Sequence, residues 1–262
     1  MQEKEGRAGS LYVSPHLDDV ALSCGGALHA LARRAKGPLV ATVFAAPLDL
    51  ESTLPQAERF HRIMGIGRSS DPFLRHREDE RAMEHLGASA VRLSFPDCIY
   101  RTDVAGQPVA VEDSDVFARP DDERALARKI AAELAELCSS RKLSGLVVPL
   151  ALGGHRDHVL SRWAGEEAST LGGCALSFYE DVPYCLREEP LETTTALSPL
   201  LVPLEEDDLE ARLDAIGAYE SQKEVVWNED VSLTEGIVAY TRRLGRGVGT
   251  GLAERQWGRL GH

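Results

Sequence analysis

The sequence predicts an α/β protein with a Rossmann-like, mostly parallel sheet that is flanked by helices. Short apolar runs of strand length alternate along the chain with longer segments of helical periodicity, which is typical of βαβ units. Apolar residues make up 43% of the 262 residues, enough for a sizeable core. We expect a single domain over residues 1–262, with a core at about 11–222 and a C-terminal extension at 223–262.

The elements follow from hydrophobic periodicity and from start and stop residues. Apolar runs predict strands at Leu11–Val13, Pro38–Ala46, Ala90–Leu93, Leu143–Leu150 and Ala175–Tyr179. Helical patterns predict helices at Ala21–Ala35, Asp79–Leu86, Asp121–Cys138, His158–Ala168 and Leu204–Lys223. Gly87 is a stop signal for the second of these helices, and Pro120 is a start signal for the third.

Three segments lack such patterns. Asp97–Arg119 carries Pro, Gly and Asp without periodicity, so we expect a long loop, and long loops in compact domains are often functional. Leu186–Pro203 has a similar character and is also expected to be a loop. The segment from Arg243 onward is rich in Gly and Arg and is expected to be partly mobile.

Composition excludes several classes of partner. The net charge of -13 argues against a nucleic-acid partner, because phosphate binding needs a basic face. No run approaches the roughly 18 to 20 apolar residues that span a bilayer, and Met1–Ser10 lacks the apolar stretch of a signal peptide. The five cysteines are scattered without C-x-x-C spacing, which favours a reduced, cytoplasmic protein with buried thiols. The sequence is compatible with a homo-oligomer.

Two short motifs combine His and Asp at the ends of predicted strands. Ser14–Asp19 reads S-P-H-L-D-D, and Gly153–His158 reads G-G-H-R-D-H. If the preceding strands are parallel members of one sheet, both motifs open at its carboxyl edge, where α/β proteins place their sites. We therefore expect a metal site at that edge.

Catalytic zinc prefers three protein ligands and one open position. His16 and Asp19 have i, i+3 spacing, and His158 supplies a third ligand from the second motif. Zinc is the expected metal, with iron(II) as the alternative, because the two can share such sites. The competing interpretation is a pair of polar loops whose Asp residues cap helices.

The other polar residues of the motifs then have chemical roles. Asp18, next to a ligand in sequence, is expected to be a general base toward the attacking water. His155 is expected to donate a hydrogen bond to a developing oxyanion. Asp157 is expected to hydrogen-bond a nearby histidine and fix its tautomer.

At these residues the chain resembles the PIG-L/LmbE-like family of zinc-dependent N-acetylglucosaminyl deacetylases. The family motif A-H-P-D-D-E, followed by Gly-Gly, corresponds to the segment from Ser14 to Gly26, and H-P-D-H corresponds to His155–His158. Weaker similarities are an R-x-x-E pair before Leu-Gly, an F-P-D loop and a Y-x-S-Q element; they lie at Arg75 and Glu78, at Phe95–Asp97 and at Tyr219–Gln222. The resemblance covers roughly Leu11 to Gln222.

The resemblance implies the same ligands, His16, Asp19 and His158, and the same roles for Asp18 and His155. It also implies that Arg75 and Asp97 bind sugar hydroxyls. For Arg75 the alternative is a solvated charge at a helix start. The partner implied is a small-molecule amino sugar.

Three positions depart from the family motifs. Leu17 and Arg156 stand where the family usually has Pro, and Val20 stands where it usually has Glu. None of the three is a metal ligand, so the chemistry should be retained. Arg156 is expected to place a positive charge at the rim of the site or to be an ordinary solvated surface residue.

The leading hypothesis is a hydrolase that removes an N-acetyl group from an N-acetylglucosamine-type sugar on a larger molecule. A second hypothesis keeps the zinc but cleaves a larger acyl group or a thiol conjugate. A third is a non-catalytic α/β module that binds a sugar or a nucleotide, which would hold no tight metal and would not depend on Asp18.

Overall fold

A seven-stranded sheet forms the centre of the protein. The computed structural model describes residues 9–34, 37–187, 196–223 and 233–259. The strands are β1 (Ser10–Ser14), β2 (Leu39–Thr42), β3 (Ser89–Arg92), β4 (Gly145–Pro149), β5 (Ala175–Tyr179), β6 (Leu197–Leu204) and β7 (Leu252–Arg259). Their order in the sheet is β3-β2-β1-β4-β5-β7-β6.

The first five strands of this order are parallel to one another. The central strands β1 and β4 are almost entirely buried, as expected for parallel strands that are covered on both faces. The predicted α/β class with a mostly parallel sheet is confirmed. β7 runs antiparallel to both β5 and β6.

Helices cover both faces of the sheet. They are α1 (Asp19–Arg34), α2 (Pro55–Ile63), α3 (Leu74–Leu86), α4 (Arg124–Ser140), α5 (Arg156–Gly172), α6 (Tyr184–Arg187), α7 (Glu206–Gly217) and α8 (Leu233–Val248). Leu11 and Val13 pack in one cluster with α4 and α5. Tyr12, which points to the opposite face, packs in another cluster with α1, α3 and α7.

The predicted helices form, with shifted boundaries. α3 ends as predicted at Gly87, which adopts a left-handed conformation at φ 61°. The helix predicted from Asp121 begins with a 3-10 turn, Asp121–Glu123, before α4. The helix predicted over Leu204–Lys223 is shorter, because α7 stops at Gly217 and a 3-10 turn follows. Helix α2 was not predicted from the sequence.

One expectation for the C-terminal third is wrong. The described part of Leu186–Pro203 is not a loop, because β6 begins at Leu197 and contains two prolines. Proline lacks an N–H donor, but β6 lies at the edge of the sheet, where this loss is tolerated. The segment from Arg243 continues α8 and then forms β7 between β5 and β6; residues 188–195 and 260–262 lie outside the described residues.

Strand β7 also supports the helix that begins at the first motif. α1 is kinked at Cys24, which has a non-helical φ of -146°. The N–H groups of Gly26 and Ala27 just beyond the kink donate to the carboxylate of Glu254, at 3.0 and 2.8 Å. A Cβ at Gly26 would lie 2.7 Å from a Glu254 oxygen, so this approach requires glycine.

The remaining findings concern thiols and membranes. All five cysteines lie in described segments, where they are buried and form no disulfide. Among the described residues, no helix is both long enough and apolar enough to cross a bilayer.

Candidate metal centre and substrate cavity

The two motifs lie side by side. The first occupies the turn from β1 into α1, and the second occupies the turn from β4 into α5. β1 and β4 are adjacent and parallel, so both turns leave the sheet at the same carboxyl edge. The sheet order therefore brings together residues that are about 140 positions apart in sequence.

His16, Asp19 and His158 form a compact group of ligand atoms. One ligand atom from each residue lies within 4.8 Å of the other two. Nδ1 of His16 is 3.2 Å from Oδ2 of Asp19, and Nε2 of His158 is 3.3 Å from Oδ1 of Asp19. The carboxylate thus stands between two imidazole nitrogens, and this spacing suits a single bound cation.

The far nitrogen of each histidine faces a fully buried carboxylate. Nε2 of His16 lies 3.2 Å from Oδ2 of Asp157, and Nδ1 of His158 lies 2.7 Å from Oδ1 of Asp181. Carboxylates in this position orient metal-binding histidines and fix the tautomer that leaves the ligand nitrogen unprotonated. The structure places Asp157 within hydrogen-bond distance of His16.

The sequence pointed to Tyr179–Tyr184 as a segment that could line the pocket, but it gave Asp181 no role of its own. It stands two residues after the end of β5, at the same sheet edge as both motifs, and this position is the signal that could have found it. Its other oxygen, Oδ2, accepts the N–H of Leu152 at 3.0 Å. The contact ties Asp181 to the turn that carries the second motif.

The surroundings of the triad stabilise positive charge. Burial by itself lowers the pKa of His158, but Asp19 and Asp181 outweigh burial and raise it to about 10. Burial likewise opposes protonation of His16, while Asp97, Asp157 and Asp19 raise its pKa well above the usual value. A buried site that favours a positive charge, with nitrogen and oxygen donors in contact, fits a divalent cation.

A second buried network holds Asp157. Its Oδ1 accepts from the guanidinium of Arg101 at 2.6 Å, and its Oδ2 accepts the N–H of Cys98 at 3.0 Å. Arg101 is also bound to both carboxylate oxygens of Glu123, at 2.7 and 3.2 Å. Neither Arg101 nor Glu123 was identified from the sequence, because their contacts cross between separate elements.

Asp18 lies beside the triad and lines the cavity. It is 5% exposed, and burial raises the pKa of its carboxyl group, while Arg75 opposes that rise. A guanidinium nitrogen of Arg75 is 3.4 Å from Oδ1 of Asp18. Nε of Arg75 is buried without a hydrogen-bond partner among the described residues.

His155 is held in one tautomer. Its Nδ1 accepts the N–H of Asp157 at 3.2 Å, and burial together with His16 and His158 lowers its pKa to about 3. A neutral imidazole whose Nδ1 is an acceptor carries its proton on Nε2. His155 also lines the cavity, so it can offer one N–H donor there.

Asp97 lies on the other side of His16. Its Oδ2 is 3.6 Å from Nε2 of His16, and its Oδ1 accepts the N–H of Ile99 at 3.2 Å. The loop predicted over Asp97–Arg119 contains two 3-10 turns, Cys98–Tyr100 and Asp113–Phe117. Both turns contribute residues to the cavity.

The cavity above the triad has a volume of about 540 Å³. The catalytic candidates, Asp97 and Arg75 line it together with apolar side chains. These apolar side chains include Leu48, Phe60, Ile63, Met64, Ile99, Val116 and Phe117. The volume is within the roughly 300–1,000 Å³ that small-molecule sites occupy.

The Y-x-S-Q element hydrogen-bonds to the first motif and to helix α3. The hydroxyl of Tyr219 donates to the carbonyl of Leu17 at 2.7 Å. The N–H and hydroxyl of Ser221 both donate to the carboxylate of Glu78, at 2.8 and 2.7 Å. Gln222 reaches the cavity.

Arg156 is neither at the rim nor solvated. It is only 4% exposed, because its guanidinium turns inward to Glu123 and to backbone carbonyls. Both interpretations of this residue from the sequence are therefore wrong.

Comparison with known proteins defines the family of this site. The profile of the PIG-L family, described as GlcNAc-PI de-N-acetylase, matches residues 11–169. The matched region is more than half of the chain and contains both motifs. The chain belongs to the PIG-L family, as the motifs predicted.

The curated relatives are deacetylases of amino-sugar compounds. The chain is 33% identical over 187 residues to the 2'-N-acetylparomamine deacetylase of Niallia circulans, which covers 66% of each protein. It is 30% identical over 198 residues to the enzyme of the same name from Streptomyces fradiae, across 75% of the chain and 65% of that relative. The chain thus spans slightly less than two thirds of both relatives.

A solved structure matches over nearly the whole chain. The zinc-inhibited form of teicoplanin deacetylase Orf2 is 25% identical and superposes with a TM-score of 0.85. The match covers 97% of this chain and 98% of the other. The chain therefore has the same fold as this deacetylase.

Proposed function

We propose that this protein is a metal-dependent N-deacetylase that releases an acetyl group from an N-acetylglucosamine-type sugar on a larger molecule. One observation carries the proposal: Asp18 and His155 border the same cavity as the candidate metal ligands. A base and a neutral donor beside a cation site are the groups that amide hydrolysis needs. Named deacetylases among the relatives support the same reaction.

His16, Asp19 and His158 would hold the metal. Two imidazole nitrogens and one carboxylate suit zinc with an open position, and iron(II) is the alternative for the same donor set. When bound, zinc supplies Lewis-acid polarisation of the amide carbonyl and of the attacking water. Asp157 and Asp181 would keep the two histidines in the tautomers that binding requires.

Asp18 would take the proton of the water as it attacks the carbonyl carbon. The same carboxyl group would then deliver that proton to the leaving amine, so that the acetate and the free amino sugar separate. A general base of this kind contributes roughly 10²- to 10⁴-fold in rate. The burial that raises the pKa of Asp18 favours the first of these steps, because a carboxylate with a higher pKa is a stronger base.

His155 would stabilise the oxyanion through Nε2–H. Its low pKa keeps the ring neutral, so it does not repel a cation that is bound beside it. Arg75 and Asp97, which line the cavity, would bind sugar hydroxyls. The unpartnered Nε of Arg75 supports that role.

The relatives indicate the part of the substrate that is shared. One is named for acetylated paromamine and another for teicoplanin, and these are different carriers of the acetylated group. The common feature that we carry over is an N-acetyl amino sugar attached to a further group. The cavity volume is suited to such a compound.

The test is the release of free amine from a panel of N-acetylglucosaminyl compounds by zinc-loaded protein. Release that stops with a chelator, and that falls by roughly 10²- to 10⁴-fold in Asp18→Ala with metal retained, would support the proposal. Asp49→Asn, which changes an exposed carboxylate near the cavity, is the matched control and should keep full activity. Wild-type rate in Asp18→Ala would refute the assignment of the base.

Two other outcomes select the alternatives. If zinc is bound and free amine is released from substrates with longer acyl groups or from thiol conjugates, but not from N-acetyl compounds, the protein is the broader amidase. If no free amine is released at any acyl length and no metal binds tightly, the result would favour a non-catalytic sugar- or nucleotide-binding module. His158→Ala separates these cases further, because a true ligand cannot be removed without a loss of metal affinity.

A further inference from the structure

Arg156 joins the metal-binding helix to one wall of the cavity. It is the first residue of α5, two positions before His158. One guanidinium nitrogen donates to the carbonyls of Val109 and Asp115, at 2.7 and 3.2 Å. Val109 precedes the 3-10 turn Asp113–Phe117, and Asp115 lies within it. We call this turn the cavity wall.

The guanidinium of Arg156 also binds a carboxylate outside the cavity wall. Its Nε donates to Glu123 at 3.0 Å, and Glu123 also binds Arg101. The Arg156 side chain is 5% exposed and that of Glu123 is 11% exposed. Because charged hydrogen bonds in buried surroundings are strong and directional, Arg156 fixes where the wall stands relative to α5.

The wall presents an aromatic ring to the cavity. Phe117 lines the cavity and is 46% exposed. Its ring meets those of His155 and Tyr184 edge-on, with centroids 5.8 and 6.4 Å apart. Ile63 of α2 is a second exposed apolar residue that lines the cavity.

The charges on the wall are already compensated. The carboxylate of Asp113 pairs with Arg59 at 2.6 Å and accepts from the amide of Gln56 at 3.1 Å. The carboxylate of Asp115 accepts the backbone N–H groups of Val111 and Glu112. Both carboxylates thus already have hydrogen-bond partners, whereas the Phe117 ring is 46% exposed.

We propose that Arg156 is a positioning residue that holds this wall, and that the wall binds an uncharged, apolar group attached to the amino sugar. This inference rests on the proposed function, because it concerns the second half of the same substrate. It also explains the departure from the family motif, since the usual Pro cannot make any of these contacts.

The variant Arg156→Pro tests the tether without disturbing the helix. Arg156 occupies the first position of α5, where Pro is favoured, so the fold and the three metal ligands should persist. Hydrogen–deuterium exchange of residues 109–117 should become faster, and zinc content should stay equal to that of the wild type. Arg128→Met, which removes an exposed arginine on α4, is the matched control and should change neither.

The subsite is tested with aryl and methyl glycosides of N-acetylglucosamine. The wild type should prefer the aryl glycoside through a lower KM. Arg156→Pro and Phe117→Ala should each reduce the preference for the aryl over the methyl glycoside, measured as the ratio of the two KM values, about tenfold, which corresponds to about 1.4 kcal/mol. In Arg156→Pro, kcat should change little. Arg156→Lys should recover part of this difference, because it keeps one charged donor.

Three results would overturn the inference. Exchange at residues 109–117 that is unchanged in Arg156→Pro would show that Arg156 does not hold the wall. A fall in kcat or zinc affinity at unchanged KM would mean that Arg156 acts through Glu123 and Arg101 on the metal ligands instead. If calorimetry gave equal affinities of the wild type and Phe117→Ala for the aryl glycoside, Phe117 would not form the proposed subsite. Calorimetry and exchange need no turnover, so absence of deacetylation would refute the proposed function separately.

Discussion

Asp181→Asn tests how strongly the carboxylates that face the candidate ligand histidines control metal binding. Oδ2 of Asp181 accepts the N–H of Leu152 at 3.0 Å, and Oδ1 faces Nδ1 of His158 at 2.7 Å. In the variant, the amide oxygen keeps the Leu152 contact and the NH₂ group faces His158. Nδ1 must then become an acceptor, which moves the imidazole proton to Nε2, the nitrogen next to Asp19.

A protonated Nε2 cannot bind a cation, so each binding event must reverse this tautomer or break the contact with Leu152. Loss of such a partner typically costs 10- to 100-fold in metal affinity, or about 1.4 to 2.7 kcal/mol. The assay is a zinc titration against a competing chelator, with the melting temperature of the metal-free protein as a check on folding. We expect a weaker zinc affinity with a folded metal-free state.

The chain offers a matched control for this substitution. Oδ1 of Asp208 lies 2.8 Å from Nδ1 of His29, and Asp208 is fully buried like Asp181. His29 lies ten residues along α1 from Asp19, which is roughly 15 Å at the helical rise. Asp208→Asn should keep zinc affinity. Unchanged affinity in a folded Asp181→Asn, or an equal loss in both variants, would refute the reasoning.

Three further predictions concern packing, substrate binding and pH. Gly165→Ala should lower the unfolding free energy by about 1 to 3 kcal/mol, because the new Cβ would lie 2.3 Å from Val148; an unchanged denaturation midpoint would contradict this. Arg75→Met should raise KM about tenfold with full zinc content, and an unchanged KM would exclude Arg75 from substrate binding. Burial opposes ionisation of Asp208, but Arg33 outweighs it and lowers the pKa of the carboxyl group. Its stabilisation is therefore complete above the unfolded pKa of about 3.9 and is lost as the pH falls through the lower folded value, so acid unfolding of Asp208→Asn should be less steep in that range.

Much of the parallel sheet could be predicted because its strands are local apolar runs. Ala175–Tyr179 was located residue for residue as β5, and β1, β3 and β4 were found within a few residues. β6 and β7 were missed because antiparallel strands with Pro, Gly and Arg carry a weaker local signal. Their pairing, such as Trp257 with Phe178, depends on partners far along the chain.

The sequence by itself determined the family, through two motifs that keep His and Asp at fixed short spacing. Only the tertiary structure decided which nitrogen of His16 and of His158 faces Asp19. It also decided which buried carboxylates face the other nitrogen of each ring. Asp181 reaches His158 across 23 positions, and Arg101 reaches Asp157 across 56. Such contacts have no local pattern, because they form only when separate strands deliver their ends to one edge of the sheet.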